Sequence, residues 1–158
     1  DKQGLPFVGN AGKYLDELLA IAGLKRADVF ITNVVKCRPP GNRDPLPDEI
    51  AACSEYLDRQ LAAIDPLMVV TLGRFSMARW FPGDKISKIH GQHKQFGRVT
   101  VVPMYHPAAA LRATAVKLQI EADFAKLPDT LDAARRTRAK AETSSEPAPR
   151  PPEQQKLF

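Results

Sequence analysis

A histidine follows an apolar run and stands directly before a proline in the stretch YHPAAALR, residues 105–112. His106 could donate a hydrogen bond to an oxygen that gains negative charge as a bond breaks, and such a bond is strongest in a dry pocket. It could equally be a loop histidine that caps the helix after it. The residues of this stretch leave both interpretations open.

Two further side chains could recognise a planar ligand such as a nucleobase. Asn33 lies near the end of a β-branched run, and its amide offers a donor and an acceptor together, as the edge of an imide requires. Phe7 lies in a Gly-flanked loop, between Pro6 and Val8, and could stack on an aromatic base. The alternatives are an asparagine that bonds nearby backbone and an ordinary core phenylalanine.

The chain contains two cysteines, Cys37 and Cys53. They could form a disulfide, lie in the core as two thiols, or supply half of a metal site. The first residues, DKQGLPFVGN, lack the architecture of a secretion signal, and this disfavours the disulfide. Cys53 falls on the apolar stripe of a predicted helix, so burial alone would explain it. Two thiols are a weak metal signal, because a complete site normally has four ligands.

The distribution of charge predicts a polyanionic partner. The net charge is +5, and the segment 66–120 holds eight Lys or Arg, all three histidines and one acid, Asp84. Basic side chains near phosphates release counterions and steer association with nucleic acids. A merely basic surface is the alternative. No apolar run is long enough to cross a bilayer, so we expect a cytoplasmic protein with no membrane segment.

Strand and helix patterns alternate along the chain. Helical spacing of apolar residues and runs of β-branched residues predict, in order, a helix at 13–24, a strand at 29–35, a helix at 47–64, a strand at 67–73, a short helix at 74–81, a basic loop or hairpin at 85–97, a strand at 98–105 and a helix at 107–127. The run 67–73 is wholly apolar, which is typical of a strand buried on both faces.

This order predicts a three-layer α/β/α sandwich with a mainly parallel central sheet. Ligands of such sheets bind where the carboxyl ends of the strands meet their loops, and Asn33 and His106 both lie at such ends. We assign residues 1–127 to this domain. Residues 128–158 lose large apolar side chains and contain four prolines between Pro147 and Pro152, which predicts a tail that is first helical and then disordered.

Six segments together resemble one family, the family 4 uracil-DNA glycosylases, which are the iron-sulfur type of bacteria and archaea. In the order and approximate spacing of that family they are GLPFVGNAG, ITNVVKCRPPGNRDP, EIAACSEYLDRQL, VVTLGRFSMARW, ISKIHG and VPMYHPAAALR. The resemblance covers roughly residues 1–125. It implies a uracil-DNA glycosylase fold and a DNA repair hydrolase that removes uracil by cleaving its N-glycosidic bond.

The resemblance also implies roles for individual residues. Phe7 would stack on a flipped uracil, Asn33 would read the uracil edge and reject cytosine, and His106 would contact uracil O2 and stabilise the departing uracilate. Leu111 would be the wedge that enters the duplex, and Arg112 a contact to a phosphate or to the gap. The substrate would be uracil-containing DNA, single or double stranded, bound by a monomer.

Cys37 and Cys53 would, by the same resemblance, be two of the four ligands of a structural 4Fe-4S cluster. Members of the family normally begin with a further segment that holds two more cysteines, a first strand and a Gly-rich motif. This chain starts at Asp1, about where that motif ends, so we expect a fragment that lacks the first strand. Two thiolates do not complete a cluster, and the fragment could therefore be inactive.

The chain ends in QQKLF, which resembles the peptide by which bacterial repair and replication proteins bind the sliding clamp. The anchors would be Gln154, Leu157 and Phe158. A position at the end of a flexible tail is what such tethering requires.

An alternative function of another class is a non-catalytic nucleic-acid-binding domain of a polymerase-associated protein, which would use the same basic surface. A glycosylase of wider range, which accepts xanthine or hypoxanthine, is a third hypothesis, because the sequence does not predict the size of a pocket.

Overall fold

The run at 98–105 forms the most buried of the described strands. The computed structural model describes residues 9–34 and 44–144, and in it this run is β3, Val99–Met104, of which five of the six residues are buried. β1, Met68–Leu72, pairs with β3 in parallel, and β2, Lys94–Phe96, pairs with its other edge in antiparallel. The sheet order is therefore β1-β3-β2 in the described part of the chain.

Six helices surround this sheet in the described residues. Their bounds are α1 Asn10–Ile21, α2 Pro47–Ile64, α3 Arg74–Ala78, α4 Ile86–Ile89, α5 Pro107–Ala110 and α6 Thr114–Ser144, and a 3₁₀ turn spans Arg26–Asp28. α2 begins as its sequence predicts, with Pro47 in the first turn, where a missing N–H costs nothing, and with Asp48 and Glu49 near the positive end of the helix dipole.

Alternate residues of the strands face two different helical layers. Val102 and Met104 of β3, with Val70 and Leu72 of β1, pack in one apolar cluster with side chains of α1 and α6. The intervening residues face the other way, because successive side chains of a strand point to opposite faces. There Val69 and Val99 line a cavity of about 240 Å³ with Leu61 of α2. The three-layer α/β/α fold predicted from the sequence is confirmed.

The first layer rests on a short set of large apolar side chains. Leu18 of α1 and Ile120 and Phe124 of α6 are at most 1 % exposed. Fully burying a side chain of this size contributes about 1.5 to 3 kcal/mol. These residues recur at the spacing of one helical face, so the stripe seen in the sequence is the stripe that is buried.

The predicted strand at 29–35 is wrong for its described part. Residues 29–34 form no ladder with any described strand, although the backbone of Val29 is extended, with φ −130° and ψ 155°. Val29 and Ile31 pack against the apolar cluster, and the Thr32 hydroxyl donates to Gln60 of α2 at 3.3 Å. The segment thus runs between two layers as a strand does, but a strand also needs a hydrogen-bonded neighbour.

The run at 67–73 is less buried than its composition predicts. In β1 only Thr71 is buried, and the other four residues are half-buried. The reason is that β1 pairs with β3 alone among the described strands, so its other edge has no described neighbour. Full burial of an apolar strand requires neighbours on both edges as well as layers on both faces.

The helix predicted at 107–127 is two helices. α5 ends at Ala110, the Arg112 N–H bonds to the carbonyl of Ala109 three residues back, and α6 begins at Thr114. α6 then continues through Pro128 as far as Ser144, across the boundary that the sequence predicts between domain and tail. The separate tail at 128–158 stays a prediction, and its residues from 145 lie outside the described part.

Arg138 attaches the second half of α6 to the sheet. Its guanidinium donates to the carbonyls of Asp65 and Pro66, at 2.9 and 2.8 Å, and to that of Arg98 at 2.7 Å. Its side chain is only 12 % exposed. Three carbonyls from two separate loops thus share one cation, which joins the end of α2 and the start of β3 to α6.

We expect Arg138→Met to lower the free energy of unfolding by at least about 2 kcal/mol, because even one hydrogen bond from a charged donor contributes about 1.5 to 3 kcal/mol and Arg138 donates three. Methionine keeps part of the apolar stem. Urea unfolding monitored by circular dichroism measures this. The control is Arg135→Met, since Arg135 is 58 % exposed and its ion pair is with Asp132, three residues away on the same helix, at 3.1 Å. An equal effect of the two variants would contradict the attachment.

Candidate functional site

His106 lies at the edge where the two parallel strands end. β1 and β3 end together, with Leu72 opposite Met104, and the Gly73 N–H donates to the Met104 carbonyl at 2.9 Å. His106 follows β3 by two residues and stands at the start of α5. This is the position at which open α/β sheets bind ligands.

The imidazole of His106 caps α5. Its Nδ1 accepts a hydrogen bond from the Ala108 N–H at 3.0 Å. The sequence left capping and catalysis as alternatives, and the structure shows that the cap exists. The cap does not exclude a catalytic role, because the imidazole has two nitrogens and the cap uses one of them. With Nδ1 as an acceptor, the hydrogen of the neutral ring is on Nε2, which is therefore a donor.

Burial keeps this ring neutral. His106 is half-buried, and desolvation lowers its pKa below the ordinary value for histidine of about 6.5. A proton on Nδ1 would also break the bond to Ala108. The site therefore presents a neutral N–H donor at ordinary pH, which suits an acceptor that becomes negative during a reaction.

A glycine lies beside the His106 ring, where a larger residue would come too close. Gly73 has φ +88°, a conformation that L side chains rarely adopt, and a Cβ added there would lie 3.2 Å from Cβ of His106. Gly73 is also the residue before α3. The strand-to-helix turn after β1 therefore passes directly against the histidine.

A second histidine, His90, contacts the residue before His106 and was not predicted as part of the site. Nδ1 of His90 is 2.7 Å from Oδ2 of Asp123, a carboxylate that is almost completely buried on α6. The His90 ring stacks on the ring of Tyr105, with 5.0 Å between centroids. Asp123 lies one residue from Phe124 on the apolar stripe of α6, and a carboxylate on such a stripe is the sequence signal that could have revealed a buried partner.

The structure locates some of the predicted site residues and not others. Asn33 is exposed in the unpaired segment, and no hydrogen bond among the described residues joins it to His106. Leu111, 52 % exposed, and Arg112, also exposed, lie in the turn between α5 and α6. Phe7, Cys37 and the anchors Gln154, Leu157 and Phe158 lie outside the described residues. The roles of all these residues stay predictions.

Cys53 is the one cysteine that the structure describes, and it is half-buried on α2 with a free thiol. No group of three or more metal-ligating side chains occurs in the described ranges 9–34 and 44–144. A 4Fe-4S cluster takes four thiolates, and the printed sequence contains two cysteines. The cysteines of this chain therefore do not fit a complete cluster by themselves.

The basic surface is smaller than the sequence predicts. Of the eight basic residues at 66–120, three form ion pairs with aspartates. The pairs are Arg74 with Asp44, Arg79 with Asp58 and Arg98 with Asp65. The other five are exposed, and no carboxylate within the described ranges pairs with them: Lys85, Lys88, Lys94, Arg112 and Lys117. Arg112 lies beside the turn that presents Leu111.

Two cavities lie near the sheet in the described part of the chain, and neither His106 nor Asn33 lines them. One, of about 240 Å³, lies between α2 and the sheet, and the other, of about 250 Å³, is lined by Phe81, Ile89 and Pro103. The second cavity reaches Pro103 near the end of β3, but His106 lines neither cavity, so the geometry of His106 rather than a cavity identifies the candidate site. No helix in the described part is long and apolar enough to span a membrane.

Comparison with known proteins identifies the class. The model of the uracil DNA glycosylase superfamily matches residues 1–128, and the chain belongs to this superfamily. It is 47 % identical over 141 residues to a type-4 uracil-DNA glycosylase of Saccharolobus solfataricus, and 47 % identical over 136 residues to one of Archaeoglobus fulgidus. One from Sulfurisphaera tokodaii is 49 % identical over 137 residues. Within the superfamily, the chain is a member of the type-4 family.

The matches extend over most of this chain and over part of each relative. They cover 83 %, 80 % and 80 % of this chain, and 65 %, 68 % and 62 % of the three relatives in the same order. The chain thus spans about two thirds of the length of these relatives. The family predicted from six sequence segments is confirmed.

We expect His106 to make folding stability depend on pH. Its pKa is lowered in the folded state, so as the pH falls below about 6.5 the unfolded chain takes up a proton that the folded protein does not. Stability is therefore highest above about pH 6.5 and decreases as the pH falls toward the folded pKa. In His106→Gln this contribution is absent, and urea unfolding at about pH 7.5 and about pH 5.5 should show a smaller acid loss than in the wild type.

The control is His93→Gln, which makes the same substitution at an exposed histidine. An equal pH dependence in the wild type and in His106→Gln would contradict the burial argument.

Proposed function

We propose that this chain carries the excision machinery of a DNA repair enzyme that hydrolyses the N-glycosidic bond of uracil in DNA. The observation that carries the proposal is the neutral His106, whose Nδ1 is occupied by the Ala108 N–H and whose Nε2 is a donor at the sheet edge. The membership of the type-4 family supports the choice of uracil as the base.

The proposed step is a heterolytic cleavage assisted by one hydrogen bond. As the bond between uracil N1 and the sugar C1′ breaks, its electron pair goes to the base, and negative charge spreads to O2. The Nε2–H of His106 donates to that oxygen, and this bond strengthens as the charge develops. Water then adds to C1′, its hydroxyl joins the sugar and its second proton goes to solvent, so no covalent enzyme intermediate is needed.

Base recognition and base extrusion are assigned to other residues. Asn33 would read the edge of uracil, and Phe7 would stack on its face. Leu111, exposed in the turn between α5 and α6, would fill the gap that the flipped nucleotide leaves, with Arg112 near the backbone phosphates. The wedge is only three residues from the Ala108 N–H that orients His106, so extrusion and cleavage share one short segment.

The proposal also includes an iron-sulfur cluster and a contact with a sliding clamp. Cys37 and Cys53 would be two ligands of a structural 4Fe-4S cluster, whose other two ligands the cysteines of this chain do not supply. Gln154, Leu157 and Phe158 would anchor the chain to a sliding clamp. The cytoplasm is the location expected for the enzyme.

We expect His106→Ala to slow uracil excision about 100-fold to about 1000-fold, which is the usual effect of removing one donor to a developing oxyanion. The measurement is a single-turnover assay on uracil-containing oligonucleotides, with alkali to cleave the abasic sites. Affinity for the same DNA should persist. His93→Ala is the matched control, because it removes a histidine that is exposed instead of half-buried.

An unchanged rate in His106→Ala would remove this residue from the mechanism. If the wild-type chain makes no abasic sites but binds DNA, the alternative of a non-catalytic binding domain is supported instead.

We expect Leu111→Ala to slow excision from duplex DNA about tenfold and to leave excision from single-stranded DNA unchanged. The reason is that only a duplex requires unpairing and unstacking, which cost a few kcal/mol. Leu118→Ala is the matched control, because Leu118 is also an exposed leucine, 65 % exposed, but lies inside α6. Equal losses on the two substrates would contradict the wedge.

A further inference from the structure

A hydrogen-bonded histidine–aspartate pair lies next to Tyr105, the residue before the candidate catalytic histidine, and has no part in the step above. Nδ1 of His90 and Oδ2 of Asp123 are 2.7 Å apart, and their side chains are 22 % and 5 % exposed. A carboxylate oxygen can only accept, so Nδ1 of His90 carries the hydrogen. A buried carboxylate needs such a donor, because an unpartnered buried charge is strongly destabilising.

The backbone around this pair is shaped to admit the carboxylate. Gly91, the next residue, has φ +76°, and a Cβ added there would lie 2.6 Å from Cγ of Asp123. The Gly91 N–H donates to the carbonyl of Pro103 in β3 at 2.8 Å. The pair is therefore joined to the end of β3 by a backbone bond that a larger residue at position 91 would disturb.

The same pair orders the residue that precedes His106. The ring of His90 lies on the ring of Tyr105, with centroids 5.0 Å apart and planes inclined by 37°. Tyr105 and His106 share a peptide bond, so the stack on Tyr105 restricts the backbone that carries His106. His106 also lies beside Gly73, where an added Cβ would come within 3.2 Å of Cβ of His106.

We propose that His90 and Asp123 are positioning residues for His106. Asp123 orients the ring of His90, His90 holds Tyr105, and Tyr105 holds the backbone of His106 in the place where Nδ1 accepts from Ala108 and Nε2 is the donor. Neither residue touches substrate in this scheme. The expected effect on the excision rate rests on the proposed function. The expected effect on the tautomer of the His106 ring rests on geometry alone.

Two variants of Asp123 separate the hydrogen bond from the bulk of the side chain. Asp123→Asn keeps an oxygen that accepts from His90, whereas Asp123→Leu removes the acceptor without leaving a buried charge. We expect Asp123→Leu to slow single-turnover excision about tenfold to about 100-fold, since small displacements of a reacting group have effects of this size. Asp123→Asn should stay within about threefold of the wild type, and DNA affinity should not change in either variant.

A further variant tests the ring contact and does not depend on the folding of Asp123→Leu. His90→Gln keeps a donor for Asp123 but loses the ring that stacks on Tyr105. We expect it to slow excision by a similar factor. His93→Gln is the control, because it makes the same substitution at an exposed histidine three residues along the chain.

The decisive measurement is a double-mutant cycle combined with NMR of the His106 ring. If the pair acts through His106, neither Asp123→Leu nor His90→Gln slows excision further in a His106→Ala background. Nitrogen-15 NMR of the imidazoles should show one His106 tautomer in the wild type, with hydrogen on Nε2, and a mixture in both variants.

Additive losses in the cycle, or a His106 tautomer that is unchanged in both variants, would overturn the inference. A wild-type chain that does not excise uracil would overturn the proposed function instead, and the tautomer measurement would still decide whether the pair positions His106.

Discussion

The parallel pairing of β1 with β3 is the constraint on which the candidate site depends. Because both strands run in the same direction, the turn after each lies at the same edge of the sheet. Leu72 is opposite Met104, and the bond from the Gly73 N–H to the Met104 carbonyl continues the ladder by one step. A change of register by one residue would move every core side chain to the other face and separate Gly73 from His106.

From this edge, two packing contacts determine what His106 can do. Gly73 passes close to one side of the ring because it has no side chain and tolerates φ +88°. The Ala108 N–H occupies Nδ1, and burial disfavours the charged form of the ring, so that its pKa is lowered. Capping and hydrogen-bond donation are therefore two uses of one imidazole, one for each nitrogen.

The fold could be predicted largely from local patterns. The stripe of α1 and the run of β3 predict their elements because burial follows periodicity closely there. The stripe of α2 also predicts its helix, although Leu57 is its one buried residue. The segment 29–35 has an equally clear β-branched pattern, yet its described part is unpaired. Pairing depends on a neighbouring strand, and no local pattern reports whether a neighbour is present. The break between α5 and α6 was also missed, since the sequence there has no glycine or proline to signal it.

The sequence by itself determined the family, the α/β order of elements and the candidate residues, because residue types and their spacing along the chain carry that information. It also determined that His106 stands between a strand and a helix, where either role is open. Only the tertiary structure decided that the His106 ring is half-buried beside Gly73, and that His90 and Asp123, 33 residues apart in sequence, meet next to Tyr105. The cap at Ala108 is local, but burial and the pairing of His90 with Asp123 depend on atoms from distant segments, so no pattern of neighbouring residues can predict them.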